Sequence, residues 1–122
     1  MYQITVEGRF SAAHRHLLPP GESGLHGHDF LVRVQLEGER LVNDVLIDFH
    51  DLEVELRELL GEVDHRDLAT HPAFAGREAT PAALARWLHD RLIGRFPPGD
   101  PVRLAWVELS DGEATAARYS SG

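Results

Sequence analysis

The chain has no cysteine. Disulfides, thiolate zinc sites and a cysteine nucleophile are therefore excluded. Positive charge is also scarce: 12 Lys and Arg stand against 20 Asp and Glu, a net charge of −8. That argues against a nucleic-acid or anionic-membrane partner, since both need a basic surface. No run approaches the ~20 apolar residues of a membrane-spanning helix. Met1 to Glu7 carries neither a basic region nor a long apolar run, and reads as a strand rather than a signal peptide. A soluble cytoplasmic protein is the expectation. What remains is ordinary for one globular domain over residues 1–122: 43% hydrophobic and 26% charged. The core of such a chain is modest, so assembly would help it.

Tyr2, Ile4 and Val6 alternate with polar neighbours, which predicts a half-buried strand. Gly8 suggests a bulge before Phe10, with the strand running on to His14. Residues 17–24 are a loop by their Pro and Gly content. Phe30, Val32, Val34 and Leu36 alternate in a second strand, and Glu37-Gly38-Glu39 turns the chain. Asp48 can cap a helix whose stripe is Leu52, Leu56, Leu59, Leu60 and Val63. Residues 64–78 look loop-like. Thr80 followed by Pro81 starts a second helix, with Leu84, Trp87, Leu88 and Leu92 as its stripe. Val102, Leu104 and Trp106 alternate in a third strand, Asp111-Gly112 signals a hairpin, and residues 113–119 return as a fourth. The order is β-β-α-α-β-β, an α+β chain with an antiparallel sheet. Its open edges make self-association an expectation.

The sharpest chemistry lies in three histidines: His14, His26 and His28. Residues two apart on a strand point to one face, roughly 6–7 Å apart. His26-Gly27-His28 can thus aim two imidazoles at one metal, and Gly27 leaves room for a close approach. His14 ends a different strand and could supply a third nitrogen. Three nitrogens with the fourth position open is the pattern of a catalytic zinc. Of the other histidines, His50 and His71 read as helix-start and loop residues, and His89 as a solvated residue on the polar side of its helix. Arg15 and His16 could meet an anionic substrate tail or lie on the surface.

In order, Phe-Ser-Ala-Ala-His-Arg, Leu-His-Gly-His-Asp-Phe, Leu-Ile-Asp-Phe, Val-Asp-His, a Thr-initiated helix and Trp-Val-Glu run through nearly the whole chain. Together they resemble the 6-pyruvoyltetrahydropterin synthase / 6-carboxytetrahydropterin synthase family. The resemblance implies a tunnelling fold (T-fold). Its subunits assemble through their sheets into barrels, as a homo-hexamer, with active sites at subunit interfaces. It also implies Zn2+ on His14, His26 and His28, and a pterin substrate held by Glu108 with Thr80 at the helix start. Proton transfer falls to the Asp64–His65 pair, which adjacency in a loop does not by itself make a dyad. The family's usual catalytic cysteine falls at Glu22. A subgroup with glutamate there resembles replacements for dihydroneopterin aldolase, which make 6-hydroxymethyl-7,8-dihydropterin. Other departures are Ala82, where the family commonly has a second pterin-holding glutamate, Leu109 for a threonine and Ala69 for an asparagine.

Glu22 is either a solvated loop acid or a base. Burial would raise its pKa from ~4.3 toward the working range, and a nearby Zn2+ would lower it. Glu108 falls on the apolar face in the phase of Val102, Leu104 and Trp106. A lone carboxylate there is costly unless paired. Either the strand has ended and Glu108 is wet, or it accepts hydrogen bonds from the pterin amino and ring N–H groups. Three functions follow: a zinc lyase cleaving the side chain of 7,8-dihydroneopterin or its triphosphate, a zinc enzyme resembling the 6-pyruvoyl- or 6-carboxytetrahydropterin synthases on a related bicyclic substrate, or a non-catalytic zinc- or pterin-binding protein.

Overall fold

The computed structural model describes residues 1–15, 25–111 and 115–121, with backbone alone at residues 14, 15, 25 and 26. Two long strands form its spine: β1 (Tyr2–Arg15) and β2 (Leu25–Gly38), antiparallel from Tyr2↔Gly38 to Arg15↔Leu25. The register is unbroken, so the expected bulge at Gly8 does not exist. Gly8 is there for helix packing. A Cβ on it would stand 2.8 Å from Leu60 Cδ1 and 3.2 Å from Leu56 Cδ2.

The first helix, α1 (Phe49–Gly61), starts at Asp48, whose side chain accepts from the His50 N–H at 2.9 Å. The second, α2 (Pro81–Leu92), starts at Thr80, whose hydroxyl accepts from the Ala83 N–H at 3.1 Å. Both caps satisfy an orphan first-turn donor, as expected for these residues. Leu52, Leu56, Leu59, Leu60 and Val63 are buried, as are Leu84, Leu88 and Leu92. They pack on the face of Val6, Phe10, Phe30, Val32, Val34 and Leu36. Each such Leu contributes roughly 1.5–3 kcal/mol by leaving water. Trp87 is only half-buried, edge-on to Phe74 and His71. No helix among the described residues is long and apolar enough to cross a membrane.

The sheet is mixed rather than wholly antiparallel. A two-residue strand, β3 (Arg66–Asp67), pairs parallel with β1 through Ala12↔Arg66 and Ala13↔Asp67. With β4 (Val102–Ser110) and β5 (Ala116–Tyr119) the order is β3-β1-β2-β4-β5. Two residues are too few to display a period, which is why the segment reads as loop. Between β2 and α1, Val42 bridges Val45 around Asn43 and Asp44, at φ 51° and 64°. That is a two-residue turn with both central residues left-handed, as a tight hairpin demands.

The strand β4 carries a bulge. Gln35 faces Trp106 while Leu36 faces Leu104, leaving Ala105 as the extra residue. The buried set therefore switches from Val102 and Leu104 to Val107 and Leu109. Trp106 and Glu108 pass to the face turned away from the helices, which corrects the expected phase of Glu108.

Gly38 is more constrained than Gly8. A Cβ there would meet Leu46 Cδ1 at 2.5 Å and the Pro101 carbonyl oxygen at 2.8 Å. A backbone oxygen cannot rotate away as a leucine methyl can. Gly38→Ala is therefore expected to cost about 1–3 kcal/mol and Gly8→Ala less, as measured by thermal unfolding of the two variants.

Candidate active site

The end of the β1–β2 ladder gathers the histidines. His14 is the cross-strand partner of His26, and Ala12 that of His28. Directly opposed residues in such a ladder have Cα atoms about 4.5–5.5 Å apart. The three histidine positions share one parity, that of Phe10 and Phe30, on the helix-covered face. His28 tilts against Phe30 at 5.8 Å between ring centroids, where the core ends. Among the described side chains, no three His, Asp or Glu residues stand close enough to hold a metal ion. The side chains of His14 and His26 lie outside that set, as does the whole of Glu22.

Beside His28 is a depression of about 330 Å³ lined by Ser11, Ala12, Gly27, His28, Asp29 and His65. Among the described residues a Cβ on Gly27 would meet nothing within 4 Å, and Gly27 lines this space. His65 arrives through a clamp on Ser11. The His65 N–H donates to the Ser11 carbonyl at 2.5 Å, and the Ser11 N–H donates to Asp64 Oδ1 at 2.9 Å. His65 sits at φ +57°, a conformation uncommon for a residue with a Cβ. Its Nδ1 reaches Asp64 Oδ2 at 3.1 Å while 81% of the side chain stays exposed. The two neighbouring side chains are in contact, which adjacency in sequence did not guarantee. The Ser11 N–H, and secondarily the charge of His65, hold the Asp64 carboxyl below its usual range. Asp64 thus stays an acceptor for His65 at neutral pH.

Ser11 and Asp29 escaped the sequence reading. The Ser11 hydroxyl donates to Asp29 Oδ1 at 2.5 Å in the same depression. Their only sequence signal is polarity at opposed strand positions, which most sheets show on an open face.

Glu108 does not line this depression. Its carboxylate accepts from Arg33 at 3.3 Å on Oε1 and from the Arg118 Nε at 2.6 Å on Oε2. The buried charge is paired within its own chain, so no ligand is needed to satisfy it. Thr80 is engaged as the α2 cap. His89, expected to be solvated, is 2% exposed, its ring edge-on to Tyr119 at 4.8 Å. The edge strand β5 covers that side of α2, which the helix period alone could not reveal. Its Nδ1 meets Asp90 at 3.0 Å.

This fold has counterparts. A family model described as 6-pyruvoyl tetrahydropterin synthase matches residues 3–121. The chain belongs to that family. It is 32% identical over 110 residues to dihydroneopterin monophosphate aldolase of Pyrococcus furiosus, covering 90% of each chain. It is 35% identical over 65 residues to a putative 6-carboxy-5,6,7,8-tetrahydropterin synthase of Archaeoglobus fulgidus, covering 51% of this chain and 54% of the relative. Among solved structures, the Caenorhabditis elegans 6-pyruvoyl tetrahydropterin synthase superposes with a TM-score of 0.78 at 26% identity, over 100% of this chain and 98% of that one. The expected α+β T-fold is thus the observed one, and the chain is a member of a pterin-processing enzyme family.

Proposed function

We propose that the chain is a zinc-dependent lyase that cleaves the side chain of 7,8-dihydroneopterin, or a phosphate ester of it, to 6-hydroxymethyl-7,8-dihydropterin. The observation that carries this is the meeting of His28 with His65, whose Nδ1 is held by Asp64, at one depression, at the ladder end where His14 opposes His26. The relative named as a dihydroneopterin monophosphate aldolase supports it. So does the absence of cysteine, which removes the family's usual base.

The donor set fits zinc: three histidine positions of one parity at the end of one ladder, with no thiolate in the chain. Bound to His14, His26 and His28, Zn2+ would supply a Lewis acid for the hydroxyls of the substrate side chain. The protein's own groups do the rest. Asp64 accepts the Nδ1 proton of His65 and fixes the tautomer, leaving Nε2 to take the proton of the 2′-hydroxyl. The C1′–C2′ bond then breaks, with its electron pair passing into the pterin ring and a two-carbon aldehyde leaving. Glu22 is the second candidate base and, when protonated, the acid that returns a proton to C1′. Glu108, with Thr80, is assigned to the pterin ring. Glu108 lies on the sheet face away from the helices, so the reading places the ring across an interface between subunits. Tyr2, Val45 and Phe49 are exposed around an apolar groove of about 770 Å³. That surface suits self-association, a homo-hexamer by the family resemblance, in the cytoplasm.

The test is mass spectrometry of 7,8-dihydroneopterin and its mono- and triphosphate after incubation with zinc-loaded protein. Formation of 6-hydroxymethyl-7,8-dihydropterin from any of them is the expected result. A 6-pyruvoyl or 6-carboxy product would overturn the cleavage reading, and no product at all would leave a binding role.

A further inference from the structure

We propose that Arg118 is a built-in surrogate ligand that occupies the pterin place at Glu108 and must be displaced for substrate to bind. This rests on the reading of Glu108 as the pterin anchor. The 2-amino-pyrimidinone edge of a pterin is a cyclic guanidine: a flat ring bearing N–H donors that suit a carboxylate. Arg118 presents the same chemistry from within the chain. Its Nε donates to Glu108 Oε2 at 2.6 Å, and its guanidinium lies over the Trp106 ring at 4.0 Å from the centroid. Carboxylate edge and aromatic platform are the two features a planar bicycle would use. Two apart on β4, Trp106 and Glu108 share a face, which the bulge at Ala105 turns away from the helices, and the register of β5 sets Arg118 opposite Glu108.

Of the two arginines on the carboxylate, Arg118 is the one that can leave. The Glu108 side chain is 7% exposed and Arg118 59%, so its other lone pairs are closed to an incoming donor while Arg118 forms the cover. Arg33 is tied down twice, to Glu108 at 3.3 Å and to Glu7 at 2.9 Å. It would stay and keep one positive partner on the buried carboxylate. Arg118 stands on a four-residue edge strand, where a rotamer change reaches water.

The experiment is equilibrium binding of neopterin, followed by its own fluorescence, to the purified protein and to Arg118→Gln, Arg118→Lys and Glu108→Gln. Removing the surrogate should tighten binding roughly three- to tenfold, the scale of an ion pair whose cation is mostly exposed together with a cation–π contact. Arg118→Lys, which keeps the charge but loses the planar fork, should tighten it by less, and it carries the test should Arg118→Gln not fold. Glu108→Gln should weaken binding. If both Arg118 variants bind as wild type or more weakly while Glu108→Gln weakens binding, Arg118 is no surrogate and the anchor stands. Should Glu108→Gln bind like wild type, the anchor assignment falls and the surrogate with it.

Discussion

Alanine in place of His28 should strip the protein of zinc and stop turnover while leaving it folded. Two imidazoles in place of three leave a metal ion with half of a tetrahedral shell, too few ligands for a stable catalytic site. Turnover should fall on the order of a thousandfold or more, corresponding to about 4 kcal/mol of lost barrier lowering. Compared metal-free, wild type and variant should be about equally stable, because His28 is only half-buried and stands where the core ends. The contrast is its neighbour Phe30, 1% exposed and stacked on Phe10 at 4.9 Å, whose replacement by alanine should cost about 3–5 kcal/mol. Metal content by elemental analysis, product formation and thermal unfolding of His28→Ala settle the matter. Full zinc with full turnover would remove His28 from the metal centre.

The second large effect is expected at His65. Under the proposed mechanism His65 transfers the proton, so its loss should lower kcat by about 10²–10⁴. Glycine is the more telling substitution. At φ +57° a side chain costs the backbone roughly 1 kcal/mol that glycine does not incur. The exposed contact with Asp64 offers at most about as much in return. His65→Gly should therefore be at least as stable as wild type and nearly inactive, a pairing that a structural role cannot produce. If His65→Gly keeps its kcat and Glu22→Ala loses it, the base is Glu22.

The same dyad sets a pH signature. The Asp64 carboxyl is held low in the folded chain, first by the Ser11 N–H. A lowered folded value means that the stabilisation is fully present above the unfolded carboxylate range of about 4 and is lost as pH falls through the lowered value. The stability gap between wild type and Asp64→Asn should accordingly be constant at neutral pH and close in acid. Asparagine keeps an oxygen for the Ser11 N–H, so the gap reports the charge.

The sequence by itself determined what is local or repeats along the chain. Asp48 and Thr80 announce the helix starts because a cap needs only its own next turn. The leucine stripes and the Phe30–Leu36 alternation fix which faces are buried, because burial follows the period of the element. Order and type of the family's motifs were equally legible, which is why the T-fold could be expected. The tertiary structure decided what depends on a partner distant in the chain. The two residues of β3 acquire strand character only by pairing with Ala12 and Ala13. His65 meets the depression only because Ser11, more than fifty residues earlier, supplies both a donor and an acceptor. His89 is covered by Tyr119, which no helical period contains. The bulge at Ala105 is the clearest case: period two carries no mark of an inserted residue, yet that residue turns Glu108 from the core to the open face. There Arg33 and Arg118, from two other strands, hold it.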